Sequence, residues 1–312
     1  MDTPSRLQIG RVLCPVDFSE HSEHALKHAA AVARWYGAQL RALHVFAIAP
    51  PVTMLPPLAS PPPVFALTPG DRKQVLNHMR QLVTRAGGRD DVELLVQEAP
   101  NVANEILDHA LGWNADLLVL GNHGFSGVTR LVLGSVAEKV LRLSKCPVLL
   151  VPHGAERPAP PGDVEFDRIL CAVDFSESSH HALALALSMG AEAGAHVTVL
   201  NAIEMPPELR ETPISYDFSV EAVRAKAESA QLQRLEGLIP NAVRDYCTVE
   251  MSVVEGKASR EILRMAAAQK SDLIVMGVQG RRALDIAVFG SNAQEVVRHA
   301  TCPVLIVRAR KP

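Results

Sequence analysis

The chain has 312 residues, 48% of them hydrophobic and 21% charged, which supplies apolar surface for one large domain or two of ordinary size. A net charge of -3, with Lys and Arg scattered rather than striped, leaves no basic excess to neutralise a nucleic-acid backbone. The polar opening Met1 to Gly10, apolar runs no longer than a buried strand, and five cysteines without a closely spaced pair predict a cytoplasmic protein without signal peptide, membrane span or metal-binding Cys motif.

Taken in order, Val12 to Val16 reads as a buried strand, and Ser19 as the N-cap of a helix reaching about Tyr36, where Gly37 can take the left-handed C-terminal position. Leu40 to Phe46 reads as the second strand. Ala49 to Pro69 is so rich in proline that its missing donors predict a loop or flap. Val75, Leu76, Met79, Leu82, Val83 and Ala86 then fall on one helical face, followed by a strand over Val92 to Val96 and a helix over Asn104 to Leu111. Strand Asp116 to Leu120, a glycine loop, helix Ser135 to Leu143 and strand Pro147 to Val151 complete the set.

The chain then repeats itself. Arg11-Val-Leu-Cys-Pro-Val-Asp-Phe-Ser-Glu20 returns as Arg168-Ile-Leu-Cys-Ala-Val-Asp-Phe-Ser-Glu177, Gly121 to Ser135 returns as Gly277 to Ser291, and Cys146-Pro-Val-Leu149 returns as Cys302-Pro-Val-Leu305. Ordered matches at one near-constant offset mean a duplicated unit. The proline-containing stretch at 153–163 is the expected linker between a domain at 1–152 and a second at 164–312. Strands alternating with helices imply a parallel sheet covered on both faces. The fold expected is therefore α/β: two tandem doubly wound domains, each with a five-stranded parallel sheet, the last strand of the second at Pro303 to Val307.

In such sheets ligands bind beyond the carboxyl ends of the strands, where the strand order reverses. The loops after the first and fourth strands are therefore the informative ones. After the fourth strand, Gly121 and Gly124 allow close backbone approach, and Gly134-Ser135 opens a helix whose free amides and dipole attract phosphate. Copy two keeps this spacing in Gly277, Gly280, Gly290 and Ser291, with Arg281-Arg282 where copy one has Phe125-Ser126. A lone glycine pair signifies little beyond a strand end and a helix start. Three glycines and a serine duplicated at identical spacing make a phosphate cradle the better account. Asp17, just after a strand, also has a plainer role as a helix cap.

The spacing Gly-x2-Gly-x9-Gly-Ser, present in both copies, resembles the nucleotide-binding members of the universal stress protein family. Val16-Asp-Phe-Ser19, Val173-Asp-Phe-Ser176, Leu43-His-Val45 and the Cys-Pro-Val starts of the last strands match that family too, and the likeness spans nearly the whole chain. It implies an adenine nucleotide alpha-hydrolase-like fold and a ligand that is ATP, or ADP or AMP, with Mg2+ where the phosphates bring it. By position, Asp17 and Asp174 would hydrogen-bond the adenosine. Pro15, Val16 and Val45 would line the adenine pocket of copy one, and Ala172, Val173 and Ala202 that of copy two. Gly121, Gly124, Gly134, Ser135 and Val136 would hold ribose and phosphates, matched by Gly277, Gly280, Gly290, Ser291 and Asn292. The resemblance also implies a stress-response sensor or regulator acting on protein partners not identified by the sequence, with the two domains pairing within the chain or as a homodimer.

Copy two has Ala172 for Pro15, Asn201-Ala202 for His44-Val45, and a charged loop, so the two sites are expected to be unequal, copy one binding more tightly. Gly256-Lys257-Ala258-Ser259 lacks the glycine and hydroxyl positions of a Walker loop, and neither glycine loop spells a dinucleotide fingerprint. No catalytic residue stands out for efficient phosphoryl transfer. A nucleotide-free interaction scaffold and a slow ATP hydrolase stay open as alternatives, whereas the Ser-Gly-Gly-x-Asp-Ser signature of the related pyrophosphatases is absent. His21, His24 and His28 share a helical face, and without a fixed fourth ligand a hydrated polar face is the preferred reading over a metal site. Cys14, Cys146, Cys171 and Cys302 read as packing residues.

Overall fold

A computed structural model describes residues 9–48, 66–122, 133–152, 166–204, 220–278 and 289–308. These residues fall into two compact units, one covering 9–152 and the other 166–308. The first unit runs β1 (Arg11–Pro15), α1 (Glu20–Tyr36), β2 (Gln39–Ala47), α2 (Pro69–Arg85), β3 (Glu93–Ala99), α3 (Val102–Gly112), β4 (Leu117–Gly121), α4 (Ser135–Leu143) and β5 (Val148–Val151). The second runs β6 (Arg168–Ala172), α5 (Glu177–Ala193), β7 (His196–Ile203), α6 (Val220–Glu236), a 3-10 turn at Asn241–Asp245, β8 (Thr248–Glu255), α7 (Ala258–Gln269), β9 (Leu273–Gly277), α8 (Ser291–His299) and β10 (Val304–Val307). The expected linker, the glycine-loop interiors and the proline-rich stretch up to residue 65 lie outside the described residues.

Within the first unit the strands are parallel in the order β3-β2-β1-β4-β5, and within the second the order is β8-β7-β6-β9-β10. The expected doubly wound, five-stranded parallel architecture is present in each. Central strands carry apolar residues on both faces because helices cover both: Val12, Leu13 and Cys14 are fully buried, as are Leu118 and Val119 beside them. Their replacement by alanine would cost about 2–5 kcal/mol for a leucine at such a site. Alanines 25, 29, 30, 31 and 33 are buried on α1, so small side chains bring that helix close to the sheet.

The start of the sheet is pinned across a long stretch of chain. Asp116 accepts the backbone N–H groups of Gly10 and Arg11, each at 2.9 Å, and Asp272 does the same for Asp167 and Arg168 in the second unit. These carboxylates hold the entering residues of β1 and β6 level with β4 and β9.

Local signals account for the helix limits. Ser19 accepts from the N–H of Ser22, and Gly37 ends α1 at φ 63°, where a side chain would be strained. Helix α2 begins earlier than the apolar periodicity suggests. Pro69 is its first residue, preceded by Thr68, whose hydroxyl accepts from the N–H of Asp71 while the Asp71 carboxylate accepts from the N–H of Thr68. The predicted loop therefore ends before Pro69. At the first position of a helix the absent N–H of proline leaves no bond unmade, and a reciprocal cap takes the free amides.

Candidate functional site

The strand order reverses between β1 and β4: the chain moves outward from β1 through β2 to β3, then returns to the other side of β1. That switch point opens a crevice at the carboxyl ends of β1 and β4. Pro15 closes β1 opposite Leu43 of β2, and the N–H of Val16 donates to the Leu43 carbonyl at 2.8 Å. Across β1, Gly121 closes β4 beside Val151. The N–H of Gly134 donates to the Asn122 carbonyl at 3.0 Å, which seats the start of α4 directly after β4. Pro15, Val16, Asp17, Val45, Gly121, Gly134, Ser135 and Val136 thus share one end of the sheet. The second unit repeats this with Val173 N–H to Leu200 (2.8 Å) and Gly290 N–H to Val278 (3.0 Å), gathering Ala172, Val173, Asp174, Ala202, Gly277, Gly290, Ser291 and Asn292. Gly124 and Gly280, with Phe125, Ser126, Arg281 and Arg282, lie outside the described residues.

Helices α1, α2 and α3 each receive a side-chain cap, from Ser19, Thr68 and Asn101. Gly134 and Gly290 head α4 and α8 without one. The Gly134 carbonyl takes the N–H of Glu138 at 2.8 Å, so the N–H groups of Ser135, Val136 and Ala137 precede the first intrahelical bond. With the helix dipole behind them, these donors form a positive pole suited to an anion. Ser135 is exposed there and Val136 partly so.

Asp17 has a structural partner of its own. One carboxylate oxygen accepts from the N–H of Ser19 at 3.1 Å and from its hydroxyl at 2.5 Å, and Asp174 holds Ser176 likewise at 3.0 and 2.6 Å. The carboxylate therefore braces the residue that caps the helix. Between them, Phe18 and Phe175 each sit at φ 64°, a left-handed conformation costing a bulky residue about 1–2 kcal/mol, which the Asp-Ser clasp holds in place.

Two contacts were not legible in the residue pattern. The His44 ring donates from Nδ1 to the Val16 carbonyl at 2.8 Å, and Asn201 donates from Nδ2 to the Val173 carbonyl at 2.7 Å. A residue pair that reads as a difference between the copies thus performs one backbone-holding task with two chemistries. Likewise, a Cβ on Gly121 would lie 2.9 Å from the His21 carbonyl oxygen, and one on Gly277 would lie 2.9 Å from Ser178 C and Ser179 N. The close approach that demands glycine is that of the first helix of each unit, α1 or α5, not only of a ligand.

The three-histidine face also differs from expectation. His28 is 3% exposed, donates from Nδ1 to the His24 carbonyl at 3.0 Å, and packs edge-on to the His24 ring. It is a core residue rather than part of a hydrated face, and burial holds its imidazole below the usual pKa, against a smaller opposing effect of the His24 carbonyl. Cys14 and Cys171 are fully buried beneath the site, and burial raises both thiols far above the ordinary range.

The sequence profile of the universal stress protein family matches residues 8–152 and again 165–308. The chain belongs to the universal stress protein family. A universal stress protein of Thermus aquaticus is 34% identical over 143 residues, covering 46% of this chain and 99% of its own length. One from Mycobacterium tuberculosis is 27% identical over 302 residues and covers 95% of this chain and 96% of itself, so it shares the tandem arrangement. The crystal structure of a universal stress protein from Archaeoglobus fulgidus superposes with a TM-score of 0.62 at 22% identity, covering 98% of this chain and all of that one. At that identity the likeness speaks for the fold. Among the described residues of this universal stress protein, no helix is long and apolar enough to cross a membrane.

Proposed function

We propose that each unit of this universal stress protein binds an adenine nucleotide at the carboxyl edge of its sheet, and that occupancy is a signal read by protein partners in the cytoplasm. The observation that carries the reading is the pair of glycine-headed helices, α4 and α8, each opening at the strand-order reversal beside a conserved-in-both-copies Asp-Phe-Ser turn. Their amides would take the phosphates of ATP, ADP or AMP, joined by the Ser135 and Ser291 hydroxyls and by Mg2+ accompanying the phosphates. Val16 and Val45, buried at the ends of neighbouring strands, would present an apolar wall to the base, with Val173 and Ala202 in the second unit. Asp17 and Asp174 would meet the adenosine. A bound nucleotide would change the surface offered to a partner to the extent that it favours one state of the protein over another.

Calorimetric titration of the full chain with Mg-ATP tests this directly. Two binding events are expected, with Gly134→Val removing one and Gly290→Val the other, because a valine at the helix start places a branched side chain against the incoming phosphate. Absence of any binding to the unaltered chain at millimolar ATP would sink the reading in favour of a nucleotide-free interaction scaffold.

A further inference from the structure

The two units place different chemistry around the same aromatic ring. In the first, Phe18 packs against His44, with ring centroids 4.7 Å apart, and edge-on to His78 of α2 at 6.2 Å. In the second, the Arg234 guanidinium of α6 lies 3.8 Å from the centre of the Phe175 ring, and Asn201 stands where His44 does, as its bond to Val173 shows. His78 and Arg234 are counterparts: each directly precedes a fully buried helix residue, Met79 and Leu235. At both positions, then, the first unit carries an imidazole and the second a group whose charge does not change near neutral pH: an amide at one, a permanent cation at the other.

We infer that His44 makes nucleotide binding in the first unit respond to pH more steeply than in the second, where Asn201 and Arg234 take the places of His44 and His78. The inference rests on the nucleotide reading above and names a regulation of that same site. His44 is tied to the pocket on three sides, through the Val16 carbonyl, through Phe18 next to Asp17, and through its chain neighbour Val45. The Val16 carbonyl only accepts, so Nδ1 keeps its proton whether the ring is neutral or charged, and protonation adds a charge at Nε2 without releasing the backbone. The bond that shapes the pocket survives while the field inside it changes. A charged imidazole is also welcome on the face of Phe18, which would give the first unit the cation that Arg234 supplies permanently in the second.

Among the charged and titratable groups on the elements packed around His44, α1 brings His21 to the same edge of the sheet, its backbone against Gly121. Asp17 follows β1, and His78 approaches across Phe18 from α2. Arg72 of α2 donates to the carbonyl of Val96, the register partner of His44, and pairs with Glu98 of β3 at 3.1 Å. Glu23 of α1 is engaged by Lys27 and Arg85. With Arg72 and Glu98 offsetting one another, the variable charges beside the pocket are the imidazoles of His44, His78 and His21 against Asp17. An anionic nucleotide favours their protonated forms, so its affinity rises as pH falls, and by reciprocity the bound nucleotide raises the midpoint at which His44 titrates.

The experiment measures ADP affinity of the full chain from about pH 8 to about pH 6 in two backgrounds. Gly290→Val leaves the first unit to be read, and Gly134→Val the second. Protonation of ADP itself affects both units alike, so the second unit is the internal reference. Expected is a gain of about three- to tenfold in the first unit relative to the second over that range. His44→Asn, which installs the side chain used at 201, should bring the slope of the first unit to that of the second. The imidazole signals of His44, followed by NMR, should shift to a higher midpoint when ADP is bound. Equal slopes in the two units, an unchanged slope in His44→Asn, or a His44 midpoint indifferent to ADP would each overturn the inference while leaving nucleotide binding intact. Failure of both units to bind ADP at any pH would instead remove the functional reading, and this inference with it.

Discussion

The α-carbon of Gly121 faces the backbone of His21 so closely that an added Cβ would lie 2.9 Å from the His21 carbonyl oxygen and 3.0 Å from its carbon. Backbone atoms of a helix that is itself packed on the sheet cannot swing aside as a flexible side chain can. Gly121→Ala is therefore expected to destabilise the first unit by about 1–3 kcal/mol through overpacking, and Gly277→Ala should act likewise in the second. Urea unfolding of the two variants measures this; midpoints equal to that of the unaltered chain would show that the helix shifts freely.

Capping and ligand binding can be separated by two serines. Ser19 accepts from the N–H of Ser22 and is clasped by Asp17, so Ser19→Ala should cost about 1 kcal/mol of stability. Ser135 is an exposed first-turn residue behind a glycine cap. Ser135→Ala should leave stability within about 0.5 kcal/mol while weakening ATP binding in the first unit. Denaturant melts paired with calorimetry on both variants check the contrast; a stability loss at 135 as large as that at 19 would make Ser135 a structural residue.

The buried His28 gives the first unit an acid-sensitive core. Burial lowers its folded-state pKa, so the unfolded chain, with an ordinary imidazole, binds the proton more readily. The stabilising effect of a neutral His28 is complete above the unfolded value near about 6.5 and is lost as pH falls from there through the lower folded value. His28→Leu should therefore show a smaller drop in urea midpoint between neutral and mildly acidic buffer than the unaltered chain. An identical drop would place the acid sensitivity in other groups.

The thiols should be inert in the folded chain. Cys14 and Cys171 are fully buried with raised pKa values, and burial, with a smaller effect of Asp272, pushes Cys302 up to about 12. Since the thiolate is the reactive species, labelling of these three by a disulfide reagent at neutral pH should be limited by unfolding and should accelerate sharply in denaturant. Rapid labelling in native buffer would contradict the packing role.

The two nucleotide sites are expected to be unequal, with the first unit the tighter at neutral pH. If the nucleotide reading holds, Pro15 and Val45 would give it a stiffer and larger apolar wall than Ala172 and Ala202 would give the second. Calorimetry on the two single valine variants decides the order: if Gly290→Val removes the tighter event and Gly134→Val spares it, the ranking is reversed.

Much of this frame could be read from residues alone, because its signals are local. Ser19 and Gly37 bracket α1, Gly134-Ser135 starts α4, and the duplicated motifs mark two units. What escaped depended on neighbours distant in sequence. The reason for Gly121 lies in His21, one hundred residues earlier in the chain. The equivalence of His44 and Asn201 lies in a carbonyl that either can hold, which no side-chain comparison reveals. The histidine triplet looked like a surface stripe because spacing alone does not say which side of the helix meets the sheet. The start of α2 was hidden by prolines, which argue against a helix interior but favour its first position.

The bonds from Asp116 to Gly10 and Arg11 join residues 106 and 105 positions apart, and they bear on how the chain is made. β1 is synthesised first, yet one of its two neighbours, β4, emerges only after β2 and β3 have been completed. Until then a nascent chain carries the middle of its future sheet as an open border, with unmatched N–H and C=O groups beside fully apolar Val12, Leu13 and Cys14, the combination that recruits other strands. A fragment ending at Ala115 should accordingly aggregate or stay bound to chaperones, while one extended through Val151 closes that border and should be recovered soluble, as sedimentation after translation in a cell-free system can show. In each unit the strand made first is thus enclosed only when the fourth has been made.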